Sequence, residues 1–498
     1  MIFLGKKEFR DKVHACWLGK SIGGTMGAPY EGTHEYLSLA GFSSDAPESL
    51  PNDDLDLQLI WLQALEFSGV KNITAQTLGE YWLAFITPFW SEYGIAKSNM
   101  RKGLPPSVAG DYANVWKHSN GAWIRTEIWA TLAPAAPAVA AKYAAEDAKV
   151  DHGTGEGTIA AAFVAALESA AFVLQDVREL LHLALGYIPE DSRVAKTVLL
   201  AESCFDSGVA LREARDKLIA ENADIGDGWF QAPTNVGFVV LGLLYGEGDF
   251  KKSMLAAINC GDDTDCTGAT IGAVMGILGG MRSLPKDWRA HVGDTIVTGS
   301  INMGVSWIPV TSCKQLSERI FRLAPAMLAE NNANVSIHSG KTKFDAEGWK
   351  ERSGTNFADM WKRMQPYTFC MPFAFFTAQV RYCEGPVLLP NGTACIMLKL
   401  YNNVKAYGNQ PYDLQVRVLL PKGVTADRTA FCVHLPHWSS LTTEYETGEI
   451  PIRFSADETL PASVRVVLEI SAEGHYTVGY VPVVFLNEIV MQENSDGA

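Results

Sequence analysis

The chain has 498 residues, of which 47% are hydrophobic, and its formal net charge at pH 7 is −15. A chain this long and this apolar can bury a sizeable core, which argues against disorder and predicts two or three folded domains. The acidic balance argues against a broad nucleic-acid-binding surface, so nucleic acid is not an expected partner.

The N-terminal segment MIFLGKKEFRDKVHACWLGK carries charge after four residues and has no apolar core followed by a cleavage site. It is therefore not expected to act as a secretory signal. No run of about 20 strongly apolar residues follows, so no membrane span is predicted. Nine cysteines without close CxxC pairs fit reduced thiols better than a disulfide framework. These features predict a cytoplasmic protein with no membrane partner.

Helical periodicity dominates the first two-thirds of the chain. Phe9, Val13 and Trp17 recur at four-residue spacing, and TIAAAFVAALESAAF (158–172) is an alanine-rich pattern suited to close helix packing. Residues 1–330 are therefore predicted to form an all-α domain.

A glycine-rich stretch follows the first helical pattern. CWLGKSIGGTMGAPYEG (16–32) contains closely spaced glycines and ends on Pro29, Tyr30 and Glu31. Such glycines predict backbone packed tightly against another element, with an acid held on the turn behind it. None of the glycine motifs GxGxxG, GxxxxGK[ST] or GxSxG is present, so the stretch gains meaning only in combination.

Two acidic clusters open two later helical patterns. PNDDLDLQLIW (51–61) places Asn52 where it can cap a helix, and NCGDDTDCTGATIG (259–272) crowds Asp262, Asp263 and Asp265 into four positions. Acids in a first turn complement the helix dipole. Capping needs one side chain per helix, however, and each cluster supplies several acids whose repulsion has to be offset.

A hard divalent cation would offset that repulsion. Carboxylates and amide oxygens are donors that Mg²⁺ and Mn²⁺ prefer, and Asp53, Asp54, Asp263 and Asp265 would converge on a cation if the two helix starts face each other. A metal-free alternative is a pair of acids that act as general acid and base, as in inverting glycosidases. The residues by themselves leave both interpretations open.

Near residue 330 the hydrophobic period changes. The polar stretch 330–343 is typical of a linker. Beyond it Ile396, Leu398 and Leu400 alternate with other residues at period two, and further segments repeat the pattern between turn signals. Residues 345–498 are therefore predicted to form a β-rich domain resembling an antiparallel sandwich, which makes the protein a multi-domain α and β chain.

Five segments in this order resemble the ADP-ribosylglycohydrolase family. Its opening motif GxxxGDxxGxPxE is matched from Gly19 to Glu31, and its TDD motif falls on residues 52–54. SNGAWIRTEIWATLAP (119–134) is similar to the GNGAxMRxxP segment of the family. A histidine that follows it matches His152, and the GGDTDT motif falls on residues 261–266. The resemblance spans roughly residues 8 to 285 and leaves the C-terminal strands outside.

The resemblance implies a helical bundle with a binuclear Mg²⁺ or Mn²⁺ site. Such a protein would hydrolyse the bond at the anomeric carbon of an ADP-ribosyl group on a protein or small molecule. The implied metal ligands are Asn52, Asp53, Asp54, Asp263 and Asp265, with Cys266 and Thr267 at the closing position. The implied catalytic residues are Glu31, Asp54 and Asp263, and the implied substrate-binding residues are Asn120, Gly121 and His152.

The chain departs from the family motifs at three positions. Gly24 stands where an Asp is usual, Asn52 replaces a threonine, and Cys266 replaces the closing threonine. An amide carbonyl is still a hard oxygen donor. A thiolate is a soft ligand poorly matched to Mg²⁺. Either Cys266 does not coordinate, or Thr267 substitutes for it, or the second metal is weak, absent or different.

Two further acids stand beside the motifs. Asp56 and Asp262 could supplement the metal shell, but the expectation for both is an ordinary solvated or capping acid.

Three functions are compatible with these residues. The first is a metal-dependent ADP-ribosyl hydrolase, and the second is a hydrolase of another N- or O-glycoside or nucleoside that uses the same acids. The third is a non-catalytic protein that binds ADP-ribose or a sugar. The expected partner is an ADP-ribosylated protein or a small-molecule glycoside, and a homo-oligomer is left open.

Overall fold

The computed structural model describes residues 1–226, 228–301, 307–308, 310–346, 349, 357–403, 411–437 and 445–488. The described residues fall into two compact units. The first unit consists of Met1–Gly94 and Val115–Arg363, and the second consists of Ile95–Asn114 and the described part of Met364–Ala498. The domain limits predicted from the sequence, 1–330 and 345–498, stay predictions.

The first unit is helical, as predicted. The described helices of the chain are α1 (Lys6–Gly27), α2 (Asp53–Ser68), α3 (Ala75–Phe85), α4 (Ser91–Arg101), α5 (Val108–Asp111), α6 (Glu127–Leu132), α7 (Pro137–His152), α8 (Glu156–Ala170), α9 (Val177–Leu185), α10 (Arg193–Asp206), α11 (Leu211–Glu221), α12 (Ala232–Tyr245), α13 (Phe250–Ile258), α14 (Thr264–Gly279), α15 (Lys286–Val292), α16 (Cys313–Glu330) and α17 (Ala358–Arg363). Among the described residues, no helix combines the length and the hydrophobicity that a membrane span requires.

A two-stranded parallel sheet pairs the N-terminal segment with the segment that follows α16. Strand β1 (Ile2–Gly5) pairs with β2 (Val335–His338), with Ile2 opposite Val335. Part of the predicted linker 330–343 is therefore a paired strand of the helical unit.

The two acidic segments open two central helices of this unit. Every residue of α2 from Asp54 to Leu62 is buried, and so is every residue of α14 from Thr264 to Ile277. A helix that is buried on all sides needs apolar residues all round, which explains the long uncharged runs behind each cluster. The acids themselves therefore begin at the centre of the bundle rather than at its surface.

Helices α1 and α14 pack backbone against backbone. A Cβ built at Gly23 would lie 1.8 Å from the carbonyl oxygen of Gly268, and one at Gly19 would lie 2.1 Å from that of Gly272. The pattern continues at Gly27, where a Cβ would lie 2.2 Å from the carbonyl oxygen of Thr264. Glycines four residues apart on α1 thus face the small residues of α14, and only glycine fits at these contacts. The predicted tight packing of the glycine stretch has its partner here.

The second unit is an antiparallel sandwich, as predicted. One sheet has the order β11-β10-β6-β8 and the other has the order β3-β4-β5-β9-β7. Their strands are β3 (Thr368–Pro372), β4 (Phe376–Tyr382), β5 (Thr393–Asn402), β6 (Tyr412–Leu419), β7 (Val424–Ala426), β8 (Ala430–Leu435), β9 (Ile450–Ala456), β10 (Ser463–Ala472) and β11 (Val478–Leu486). The sheets face each other, since the Tyr382 hydroxyl on β4 donates to the carbonyl oxygen of Val484 on β11 at 2.9 Å.

The period-two pattern places one face of each strand in the core of this sandwich. Ile396, Leu398 and Leu400 on β5 are fully buried, while Met397 and Lys399 between them are partly exposed. The alternation confirms the predicted strand, because successive side chains of a strand point to opposite faces.

Candidate metal centre

Because α1 packs against α14, the turn that follows α1 lies beside the first residues of α14. The backbone N–H of Asp262 donates to the carbonyl oxygen of Thr33 at 2.7 Å, and that of Gly32 donates to the carbonyl oxygen of Asp262 at 2.9 Å. These two bonds fix Glu31, the residue before Gly32, beside the acids that open α14. The acid that the sequence places on a turn is thus held at the second acidic cluster.

Three carboxylates meet at this point. Oxygen atoms of Glu31, Asp263 and Asp265 all lie within 4.8 Å of one another. Asp263 and Asp265 are buried, whereas Glu31 is exposed. We call these three residues the outer group, because one of its members faces solvent.

A second set of donors adjoins the first. Ligand atoms of Asp54, Asp265 and Cys266 also lie within 4.8 Å of one another, and all three residues are buried. We call this set the inner group. Asp265 belongs to both groups. The second acidic cluster of the sequence therefore meets Asp54 of the first, and the Asp265 carboxylate is shared by the two donor groups.

The oxygen atoms of the outer group have few hydrogen-bond donors of their own. The Asn120 amide donates to Asp263 Oδ2 at 2.6 Å, and the Trp123 indole N–H holds the Asn120 carbonyl oxygen at 2.9 Å. Asp263 Oδ1 and Asp265 Oδ1 are buried and accept no hydrogen bond from the described residues. Buried acceptors without donors are costly unless a cation satisfies them. Three carboxylates, two of which have such an orphaned oxygen, fit a hard divalent cation such as Mg²⁺ or Mn²⁺.

The clustered carboxylates hold their protons more tightly than free ones. Burial raises the pKa of Asp263 well above its ordinary value, and the carboxylate of Glu31 adds to the rise. Burial, followed by the charge of Asp263, does the same to the pKa of Asp265. Partial desolvation, followed by the charges of Asp53 and Asp262, raises the pKa of Glu31. At neutral pH the site therefore favours a bound cation or bound protons over bare carboxylates.

We expect a divalent cation to stabilise the protein more as the pH rises. A carboxyl whose pKa is raised by folding, such as that of Asp265, contributes stability that is present below its ordinary pKa and is lost as the pH rises through the raised value. A cation replaces the lost protons. Thermal unfolding with EDTA or with Mn²⁺ should therefore show a gain in Tm that grows between about pH 5 and about pH 8.

The variant Asp265→Asn is the control for this titration. It lacks the carboxylate that both groups share, so its gain in Tm on adding Mn²⁺ should be small at every pH. A gain in the unmodified protein that does not change with pH would contradict the prediction.

Asp56 has a structural role on α2. Its Oδ2 accepts the backbone N–H groups of Gly299 and Ser300 at 3.0 Å and that of Ile301 at 3.1 Å. The side chain is completely buried and accepts from a distant segment rather than from the start of its own helix, so the expectation of a solvated or capping acid is wrong. Asp56 anchors a distant segment and belongs to neither donor group.

Asp262 is also used for positioning. Its Oδ2 accepts the Asn235 amide at 2.7 Å and the backbone N–H of Phe230 at 3.0 Å. The residue is buried and adopts a φ of 62°, which few non-glycine residues do. Asp262 thereby ties the start of α12 to the loop that carries Asp263.

Two departures from the family motifs lie against each other. Asn52 occupies the position before α2, as predicted, but its side chain makes no capping hydrogen bond. Both amide atoms of Asn52 are buried and have no hydrogen-bond partner among the described residues. A Cβ built at Gly24 would lie 2.3 Å from Asn52 Nδ2. Glycine at position 24 therefore provides the room that the Asn52 side chain fills.

Three of the predicted ligands, Asn52, Asp53 and Thr267, belong to neither donor group. Asp53 begins α2 and is half-buried, and the Thr267 hydroxyl donates to the carbonyl oxygen of Thr264 at 3.2 Å. Ligation by any of these three residues stays a prediction.

The residues predicted to bind substrate are buried. Asn120 donates a hydrogen bond to Asp263. His152 Nε2 lies 3.2 Å from the Ser119 hydroxyl oxygen. A Cβ built at Gly121 would lie 2.2 Å from Glu92 Oε1, so the glycine lets this carboxyl approach the backbone. Their role as substrate contacts stays a prediction.

Lys20 is a site residue that the sequence reasoning missed. Its ammonium donates to Glu127 Oε1 at 2.7 Å and to the carbonyl oxygen of Ile124 at 2.8 Å, and lies 3.4 Å from Asp54 Oδ2. All three side chains of this ionic cluster are essentially inaccessible to solvent. The available signal was a lone charge inside the glycine-rich apolar run.

Residues 5–329 match the model of the ADP-ribosylglycohydrolase family. The match confirms the resemblance found in the motifs and covers more than half of the chain. No curated protein matches the sequence.

Solved structures give weaker similarities. A structure described as an ADP-ribosylglycohydrolase-related protein complex is 20% identical, covers 65% of this chain and 99% of its own, and has a TM-score of 0.43. A crystal structure of a FixG-related protein from Vibrio parahaemolyticus is 12% identical over 24% of this chain and 100% of its own, with a TM-score of 0.18. A conjugate transposon protein from Bacteroides vulgatus is 11% identical over 26% of this chain and 93% of its own, with a TM-score of 0.15. All three TM-scores lie below 0.5.

Proposed function

Because this chain belongs to the ADP-ribosylglycohydrolase family, we propose that it is a metal-dependent hydrolase that cleaves the bond at the anomeric carbon of an ADP-ribosyl group. The group would be attached to a protein or to a small molecule. The observation that carries the proposal is the outer group, in which Glu31 from the turn after α1 meets Asp263 and Asp265 from the start of α14. A decayed site has no need of such a costly cluster of like charges.

The outer group supplies the donors for a cation and the means to move a proton. A divalent cation held there would polarise a sugar oxygen and lower the pKa of a water. Glu31 is the exposed member of the group, so it is the carboxylate that a water molecule from solvent can reach. Glu31 is therefore the residue we assign as general base for the attacking water. Asp263, oriented by Asn120, is assigned to holding the cation.

Aromatic side chains beside the outer group support a substrate with planar or sugar rings. His34 and Trp229 stack with ring centroids 3.6 Å apart and an interplanar angle of 4°, and both are half-buried. The Phe230 ring lies 3.8 Å from the position that a Cβ at Gly32 would occupy, and Gly32 is next to Glu31. Aromatic faces of this kind bind rings through stacking and apolar contact.

A substrate panel tests the proposal. ADP-ribosylated protein, small-molecule ADP-ribose conjugates, nucleosides and simple glycosides would be incubated with the protein in Mg²⁺, in Mn²⁺ or in EDTA. We expect ADP-ribose to be released only with a divalent cation, and Glu31→Gln to lower kcat by roughly 10²- to 10⁴-fold. Glu35→Gln, which changes a nearby acid outside both donor groups, is the matched control and should retain activity.

The other outcomes of the panel decide between the remaining functions. Turnover of a nucleoside or simple glycoside alone would replace the ADP-ribosyl proposal with the alternative hydrolase. Binding of ADP-ribose without turnover of any compound would favour a binding protein.

A further inference from the structure

We infer that the outer group alone holds a divalent cation in this chain, and that Lys20 and Cys266 satisfy Asp54 in place of a second cation. The inference deepens the proposed function and rests on it, because it concerns the same acidic site. It predicts one bound cation where the family resemblance implies two.

Both carboxylate oxygens of Asp54 already have donors from the chain. The Lys20 ammonium lies 3.4 Å from Oδ2, and the Cys266 thiol donates to Oδ1 at 3.3 Å. Asp54 is completely buried, so water does not compete for these oxygens. A cation bound to the inner group would have to displace the thiol proton and lie close to a fixed positive charge.

The Lys20 ammonium is held in place. Its three N–H groups have three acceptors, which are Asp54, Glu127 Oε1 at 2.7 Å and the carbonyl oxygen of Ile124 at 2.8 Å. The other oxygen of Glu127 accepts the Gln58 amide at 2.7 Å. A lysine with all its donors paired inside a buried network has no reason to withdraw when a metal arrives.

The donor atoms of the two groups also favour a cation in the outer group. The outer group consists of carboxylates only, and two of its buried oxygens have no donor. The inner group contains the sulfur of Cys266, which is a soft donor poorly matched to Mg²⁺ or Mn²⁺. Of the two groups, the outer one is built for a hard cation.

Two sequence features near the inner group fit the absence of a cation there. Cys266 stands where the family motif has a threonine, and the loss of a hydroxyl removes a hard oxygen from the inner group. Lys20 lies one helical turn before Gly24, the position at which the motif has an Asp. A positive charge therefore lies on α1 one helical turn from the position at which the motif has a negative one, and its ammonium lies 3.4 Å from Asp54 Oδ2.

Counting bound Mn²⁺ tests the inference directly. Protein stripped with EDTA would be titrated with Mn²⁺ by calorimetry, and the bound metal would be measured after equilibrium dialysis. We expect one Mn²⁺ per chain and an electron paramagnetic resonance spectrum without coupling between two Mn²⁺ ions. Two bound ions, a coupled spectrum or no bound ion would each overturn the inference.

Two single variants separate the groups. Asp54→Asn should still bind one Mn²⁺ with an affinity within about tenfold of the unmodified protein, since Asp54 is satisfied internally. Asp263→Asn should weaken binding by more than about 100-fold. The reverse result, with binding lost in Asp54→Asn and kept in Asp263→Asn, would place the cation in the inner group and refute the inference.

Restoring the second position provides a test by gain of binding. The variant Lys20→Met/Glu127→Gln/Cys266→Thr removes the ammonium together with its nearest partner and returns a hydroxyl at position 266. We expect it to bind a second Mn²⁺, and continued binding of one ion by the folded variant would count against replacement by Lys20. Lys217→Met, at an exposed lysine, is the control and should bind one.

The metal count is independent of the proposed substrate. If the protein bound one Mn²⁺ but hydrolysed nothing in the panel, the proposed function would fail and this inference would stand. If it hydrolysed ADP-ribosyl compounds with two bound ions, the inference would fail and the function would stand.

Discussion

Replacement of Asp265 by Asn is expected to lower kcat/KM by at least about 10³-fold. Asp265 is the one residue that belongs to both donor groups, and one of its buried oxygens has no donor among the described residues. Removing its charge weakens the binding of the cation and the charge stabilisation that the cation provides, which is worth several kcal/mol at about 1.4 kcal/mol per tenfold in rate. The measurement is steady-state hydrolysis of the best compound in the panel with saturating Mn²⁺.

The fold should survive this substitution. Asn has nearly the same volume as Asp, and the variant loses a buried charge whose pKa is raised by burial and by the neighbouring Asp263. Its Tm in EDTA at about pH 8 should therefore equal or exceed that of the unmodified protein. Asp287→Asn, at an exposed ion pair on α15, is the matched control. Activity of Asp265→Asn within tenfold of the unmodified protein would remove Asp265 from the mechanism.

Replacement of Gly23 by Ala is expected to destabilise the helical unit by about 3 kcal/mol or more. The added Cβ would lie 1.8 Å from the carbonyl oxygen of Gly268, far inside the sum of the van der Waals radii. Because the obstacle is backbone, no side-chain rotation relieves it, and α1 and α14 have to separate. The measurement is the free energy of unfolding from urea titration, followed by circular dichroism at the helical signal.

A second glycine controls for the intrinsic effect of alanine. A Cβ built at Gly41 meets no atom within 4 Å, so Gly41→Ala should change the free energy of unfolding by no more than about 0.5 kcal/mol. Separation of α1 from α14 would also move Glu31 away from Asp263, so Gly23→Ala should lose activity as well as stability. A free energy of unfolding within 1 kcal/mol of the unmodified protein would show that the helices tolerate the extra methyl group.

The glycine stretch of α1 shows what a local sequence pattern can predict. Glycines at four-residue spacing indicated a close backbone contact, and the uncharged run behind Asp265 indicated a buried helix. Neither feature names its partner, because the two helices are separated by more than 200 residues and their contact is non-local. The same limitation applies to the acids, since the sequence pattern of a carboxylate at a helix start is the same whether that carboxylate caps the helix or binds a cation.

Asp56 and Lys20 mark where the sequence reasoning failed. Asp56 follows two other acids in α2, and no neighbouring residue indicates that it accepts hydrogen bonds from the backbone N–H groups of residues 299–301. Lys20 reads as one charged residue in an apolar helix, and its acceptors come from α2 and from residues 124–127. Buried polar groups depend on partners that approach in three dimensions, so their roles are invisible to periodicity.

The sequence by itself determined the two structural classes, the order of the motifs and the family, because hydrophobic period and motif spacing are properties of neighbouring residues. It also singled out Glu31, Asp54, Asp263 and Asp265 as the acids to consider. Only the tertiary structure decided that Glu31 joins the acids of α14, and that Asp54 is paired with Lys20 and Cys266. The physical reason is that the state of a buried carboxylate is determined by the charges and donors packed around it, and those come from distant parts of the chain.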